Sequence, residues 1–139
     1  RLSGGLIGWA LQAASQSDLL EQRETRLAAF EAAIQAGLEE RFSYAAGMAI
    51  QFVQNRESAR QQFDLWLDWW RDILVIKEGR PELAVDLARL ETLKDAARNL
   101  SSAHVTGAVR SLLTASEYLD RNVSPRLVLE DLMLALPQP

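Results

Sequence analysis

The chain has 139 residues, 48% hydrophobic and 24% charged, enough for one domain with a core of its own. It contains no cysteine, which excludes disulfides, thiolate zinc sites and cysteine nucleophiles and fits a reducing compartment. A net charge of −4 disfavours direct DNA or RNA binding, since domains that live on phosphate contacts are usually basic.

No apolar run approaches the roughly 18 residues that span a bilayer. Leu2 to Ala14 lacks the basic start and cleavage site of a signal peptide. Because the chain opens on Arg1 and its last apolar helix runs straight into Leu136-Pro137-Gln138-Pro139, we expect a fragment of something longer, from its C-terminal part.

Glycine and proline are few and sit at boundaries, so helices are expected throughout. A first helix is expected from about Gly5 to Ser15. A second runs from about Asp18 to Ala36, with Asp18 and Glu21 as a capping box and Gly37 as the stop. Leu20, Leu27, Phe30 and Ile34 line its inner face. The third, from about Leu38 to Gln54, carries Phe42, Ala45, Ala46, Ala49, Ile50 and Val53 at helical spacing. Gly47 inside it costs about 1 kcal/mol against alanine and reads as a close helix crossing.

The fourth helix follows Asn55, its N-cap, and runs to about Glu78. Phe63, Trp66, Leu67, Trp70 and Leu74 form one stripe; Leu65, Trp69, Ile73 and Ile76 form another beside it. Only Asp64, Asp68, Arg71, Asp72 and Val75 fill the remaining strip. A helix apolar around most of its circumference is surrounded by neighbours, so this element organises the fold, with Phe63, Trp66, Trp69 and Trp70 in the core. Gly79 and Pro81 end it.

Pro81 to Arg89 reads as a loop with a short turn. A fifth helix covers about Leu90 to Asn99. A sixth starts at Ser101 or Ser102, with Val105, Ala108, Val109, Leu112, Leu113, Ser116 and Leu119 inward. The last has Ser124 as N-cap and Pro125 at the first helical position; Leu127, Val128, Leu129, Leu132, Met133, Leu134 and Leu136 leave it little polar face. Leu112 and Leu127 are assigned to the core. The expected fold is all-α, a single orthogonal or antiparallel bundle of about six to seven helices.

No catalytic, cofactor or metal constellation emerges. Gly4-Gly5-Leu6-Ile7-Gly8 lacks the Lys and Ser or Thr of a phosphate loop, since Trp9 and Ala10 stand there, and no strand precedes it. His104 is the single histidine and has no carboxylates near it in sequence. Glu39 with Glu40, and Asp68 with Asp72, read as solvated helix faces rather than ion sites. The tryptophans interleave with aspartates, not with the Lys and Arg of a base-stacking surface, so they read as core, with a protein interface as the other use. Arg126 reads as a surface residue pairing with Glu130, its sharper reading being a partner contact. Arg71 and Asp72 join it as candidate interface residues.

Several blocks, taken in order, carry a resemblance. They are Leu2-Ser3-Gly4-Gly5 with Ile7-Gly8-Trp9-Ala10-Leu11; Arg41-Phe42-Ser43-Tyr44-Ala45; Leu65-Trp66-Leu67-Asp68-Trp69-Trp70-Arg71-Asp72; Gly79-Arg80-Pro81-Glu82-Leu83; Tyr118-Leu119; and Asn122-Val123-Ser124-Pro125-Arg126-Leu127 with Leu129-Glu130. Over nearly its whole length the chain resembles the C-terminal part of the delta-prime subunit of bacterial DNA polymerase III. The resemblance implies a helical collar domain of the clamp loader, the ATP-driven pentamer that places the sliding clamp on primed DNA. Its partners would be delta and gamma or tau, through the collar, in the bacterial cytoplasm, with no cofactor and no nucleic-acid or membrane contact of its own. Residues 1–15 would be the end of the AAA+ lid region, and 16–139 the oligomerisation domain of a non-hydrolysing accessory subunit. In ATP-binding relatives an arginine of the lid senses nucleotide; its position falls on Gly8, which argues against nucleotide contact here. Val85-Asp86-Leu87-Ala88 departs from the more Asn-rich turn expected of the family. Two other readings stay open: the collar domain of gamma or tau, and a helical protein-binding adaptor unrelated to replication.

Overall fold

The computed structural model describes residues 2–139, with side chains from Leu11 onward. The architecture is an all-α bundle. Its elements are α1 (Leu2–Gln35), α2 (Leu38–Gln54), α3 (Arg56–Lys77), α4 (Leu90–Asn99), α5 (Ser102–Asp120) and α6 (Pro125–Ala135), with single 3-10 turns at Pro81–Leu83 and Leu87–Arg89. No strand occurs among the described residues.

α3 is the central rod. It packs against α1, α2, α4 and α5, while α2 and α5 both pack on α6. Phe63, Trp66, Trp70 and Ile73 are fully buried along it and Trp69 nearly so. Burying three indoles removes a large apolar area from water at one level of the bundle, at about 25 cal/mol per Å².

α1 corrects the expectation of two helices, because the backbone stays helical straight through Ser15-Gln16-Ser17-Asp18. These residues favour caps, yet none is a glycine or proline, and exposed polar side chains leave the helical hydrogen bonds intact. The capping box at Asp18 is therefore not used. Among the described side chains of α1, from Leu11 onward, it is the C-terminal part that is packed, through Leu27, Phe30, Ala33 and Ile34. Leu20, expected on that inner face, is 64% exposed, since the helix has already left the bundle at that level.

Three ends are closed by residues with a definite task. The Asn55 side chain caps α3 by accepting from the Ser58 N–H at 3.2 Å. Gly79, at φ 78°, ends α3 in a Schellman motif: its N–H donates to the Ile76 carbonyl at 3.0 Å and Arg80 N–H donates to Val75 at 2.8 Å. Asn122, at φ 61°, closes α5 the same way, with bonds from Asn122 N–H to Leu119 and from Val123 N–H to Tyr118.

The inner face of α2 is Arg41, Ala45, Met48, Ala49 and Phe52. Ile50 and Val53, expected inside, are 56% and 80% exposed. Apolar residues cover more than one face of this helix, so spacing alone chose the wrong one. Gly47 marks no close crossing, because a Cβ there would meet nothing within 4 Å. Leu127 is a further correction. It is 65% exposed, because the buried stripe of α6 runs through Val128, Leu129, Leu132 and Met133 and Leu127 falls on the opposite side. Leu112 is fully buried.

Candidate functional site

Among the described residues, the blocks around Tyr44 and Trp66 meet on the tryptophan helix. Phe30 of α1 stacks on Trp66 with ring centroids 5.1 Å apart and planes 12° from parallel. Phe63 and Tyr44 tilt against the same indole. Trp69 stands edge-on to Phe30 and to Trp70. Trp69 Nε1 donates to Glu31 at 3.1 Å, while the indole nitrogens of Trp66 and Trp70 are buried without a partner. Burial raises the Tyr44 hydroxyl above its usual pKa, partly opposed by its polar neighbours.

Asp72 does not belong on the surface. It is 2% exposed and accepts from the Val85 and Asp86 N–H groups at 2.8 and 3.0 Å. The Pro81–Arg89 segment folds over it, which the helical pattern of α3 alone could not show. This removes Asp72 from the candidate interface set.

The same segment is tied to α1 by charge. Asp86 pairs with Arg23 at 3.0 Å. Arg89 bonds to Glu31 and, at 2.7 Å, to Glu24. Burial by itself lowers the Arg89 pKa, but Glu24 and Glu31 outweigh it and the net shift is upward. Glu31 thus joins Trp69 of α3 to Arg89 of the loop.

Arg41 forms a second clamp, between the C-terminal ends of two helices. Its guanidinium is buried and donates at 2.6 Å to the carbonyls of Ile34, Met133 and Leu136. Carbonyls at helix C-termini carry partial negative charge, which favours a cation there. Burial lowers the Arg41 pKa, although a guanidinium stays protonated in proteins.

Arg71 and Arg126 are exposed, and Arg126 pairs with Glu130 at 2.9 Å. His104 lies exposed in the first turn of α5, where its backbone N–H, not its ring, meets Ser101 Oγ. Glu39 and Glu40 are exposed in the first turn of α2, where carboxylates favour the helix dipole. Burial raises the Asp68 pKa first, and the charge of Asp72 adds to it. Among the described residues no three His, Asp or Glu side chains come together as a metal site, and no helix is long and apolar enough to cross a membrane. The side chains of Gly8 and its neighbours to Ala10 lie outside the described residues.

Blocks that carry the resemblance therefore have structural tasks. Trp69-Trp70-Arg71-Asp72 supplies core and a loop anchor. Asn122-Val123-Ser124-Pro125 supplies a left-handed stop and a helix start. Arg41 in its block clamps two helix ends. Sequence reasoning missed Arg41, Glu31 and Arg89 as a group, since their partners lie far away along the chain.

Residues 17–138 match the family model described as DNA polymerase III, delta subunit, C terminal. The chain belongs to this family. No curated protein and no solved structure matches the chain. Membership makes it a domain of a DNA polymerase III clamp-loader subunit, an accessory part rather than the polymerising centre. The arrangement is built from core, caps and clamps, with buried Arg41 and Asp72 bonded to the backbone of distant segments.

Proposed function

We propose that this chain is the C-terminal collar domain of delta-prime, and that it holds its clamp-loader subunit in the pentamer beside delta and gamma or tau. The observation that carries the clamp-loader part of this reading is the family match over residues 17–138. The ordered blocks from Arg41-Phe42-Ser43-Tyr44-Ala45 to Asn122-Val123-Ser124-Pro125-Arg126-Leu127 support the finer assignment. Residues 1–15 read as the end of the lid region and 16–139 as the oligomerisation domain, acting in the bacterial cytoplasm without cofactor or direct DNA contact. The acidic balance, −4 overall, favours protein partners over phosphate.

The family description favours a second reading, in which the domain is that of delta itself. Reconstitution separates the two. The subunit carrying this domain is mixed with the remaining clamp-loader subunits, omitting delta-prime in one set and delta in the other. Assembly of a pentamer only when delta-prime is omitted is the expected result. Assembly only when delta is omitted selects the second reading, and no association in either set points to an adaptor outside replication.

A further inference from the structure

Residues 81–89 cross from the end of α3 to the start of α4, and polar bonds hold them down. Ala84 is the buried residue of this strap, while Leu83, Val85 and Leu87 are 54%, 68% and 62% exposed. A segment that turns its large apolar side chains outward gains little from the hydrophobic effect. Its first turn rests on α3, where the Asp72 carboxylate accepts from the Val85 and Asp86 N–H groups at 2.8 and 3.0 Å. On the other side Asp86 pairs with Arg23 of α1, and Arg89 with Glu24 and Glu31.

These attachments reach α1 at a level the core does not. Leu27 is the first buried residue along the described side chains of the helix, followed by Phe30, Ala33 and Ile34. Arg23 and Glu24 lie one turn earlier. At that level the remaining bond to the bundle is from Arg26 to Ser58 Oγ of α3, a long one at 3.3 Å. The strap therefore carries the hold on α1 one turn past the core. Part-exposed ion pairs and hydrogen bonds are each worth a small fraction of a domain's stability. They can part while the buried indoles keep the bundle folded.

We propose that residues 81–89 are a latch on α1. Closed, the latch fixes the direction in which the helix leaves the bundle. Open, it frees the turn at residues 23–26 while the helix from Leu27 onward stays packed. Asp72 is a positioning residue in this device: its bonds go to the strap, and it acts on α1 through the strap. The latch belongs to this chain alone, so it stands or falls separately from the choice between delta-prime and delta.

Spin-label distance measurements on the full chain test this. The sequence has no cysteine, so Leu19→Cys on α1 and Glu117→Cys on α5, both at exposed positions, give one labelled pair that reports the direction of α1. The parent pair is expected to show one narrow distance distribution. Asp72→Ala and Arg89→Met should each broaden it about twofold or more, with helical circular dichroism unchanged. Arg89→Lys keeps a cation for Glu24 and Glu31 and should broaden it less than Arg89→Met. Unchanged width in Asp72→Ala overturns the proposal, because α1 is then held by its apolar contacts alone. So does a parent distribution already as broad as that of Arg89→Met, and so does equal broadening by Lys and Met. Should Asp72→Ala lose its helices, the comparison of Arg89→Met with the parent decides.

Discussion

Arg41 donates to the carbonyl of Met133 at 2.6 Å, across 92 positions of chain. With its bonds to Ile34 and Leu136, one buried guanidinium joins the ends of α1 and α6 through α2. Replacing Arg41 by Met keeps an unbranched apolar stem and removes every donor, leaving the three carbonyls without it. Unsatisfied buried groups cost about 1–3 kcal/mol each, less where water enters. We expect Arg41→Met to lose about 2–4 kcal/mol in urea unfolding. Hydrogen exchange should quicken first at Met133 to Leu136.

Trp70 fills the centre of the core, and its indole N–H has no partner. Trp70→Ala should cost about 3–5 kcal/mol, as for other buried aromatics. Trp70→Phe should cost clearly less, because it also removes a buried donor that bonds to nothing. A melting temperature unchanged in Trp70→Ala would place this side chain outside the core.

Asp72 holds two backbone N–H groups of the loop. Asp72→Ala leaves both donors without their acceptor and should cost about 2–4 kcal/mol. The loop then loosens its hold on α1, so protease cleavage between Pro81 and Arg89 should accelerate. Asp72→Asn keeps one acceptor oxygen and should fall between wild type and the alanine variant in both measurements.

Asn122 sits at φ 61°, where only residues that tolerate the left-handed region are at ease. Asn122→Ala should lower stability by about 1 kcal/mol, while Asn122→Gly should leave it near wild type or slightly above. Thermal melts of the two variants side by side measure this, and equal losses in both would show that the side chain, not the backbone, is what matters.

Asp68 has a folded-state pKa raised above the ordinary 3.8 by burial and then by Asp72. Below the ordinary value both states are protonated and the group is neutral in its effect. As pH rises from about 4 the unfolded chain releases its proton first, so stability falls until the folded group also ionises. Asp68→Asn should abolish this loss, and its melting temperature should gain on wild type between about pH 4 and pH 7. A difference between the two proteins that stays constant with pH would contradict this.

Much of the bundle can be read from local signals. Asn55, Gly79 and Pro125 carry their own punctuation, so α2, α3 and α6 start or stop where those residues say. Trp66 and Trp70 lie in stripes too broad for anything but a surrounded helix. The signals that misled share a cause: each concerns what lies opposite. Ser15 to Asp18 look like a boundary, but capping residues stop a helix only when the next segment has somewhere else to go. Ile50, Val53 and Leu127 look like core because apolar residues occupy more of α2 and α6 than the bundle covers. Asp72 and Arg41 look like surface because their partners are backbone groups of distant segments, which no periodicity records. For the candidate site, Arg71 and Arg126 were legible as exposed, while the Glu31–Arg89–Trp69 junction depends on a loop whose path no motif reveals.

The free half of α1 acts on geometry as an oar does in its lock. A helix rises about 1.5 Å per residue, so the exposed stretch from Leu11 to Gln22 reaches roughly 18 Å beyond its grip, and a turn of about 10° at that grip sweeps Leu11 by about 3 Å. That swing is set by the few contacts of Phe30, Glu31 and Arg23 at the fulcrum.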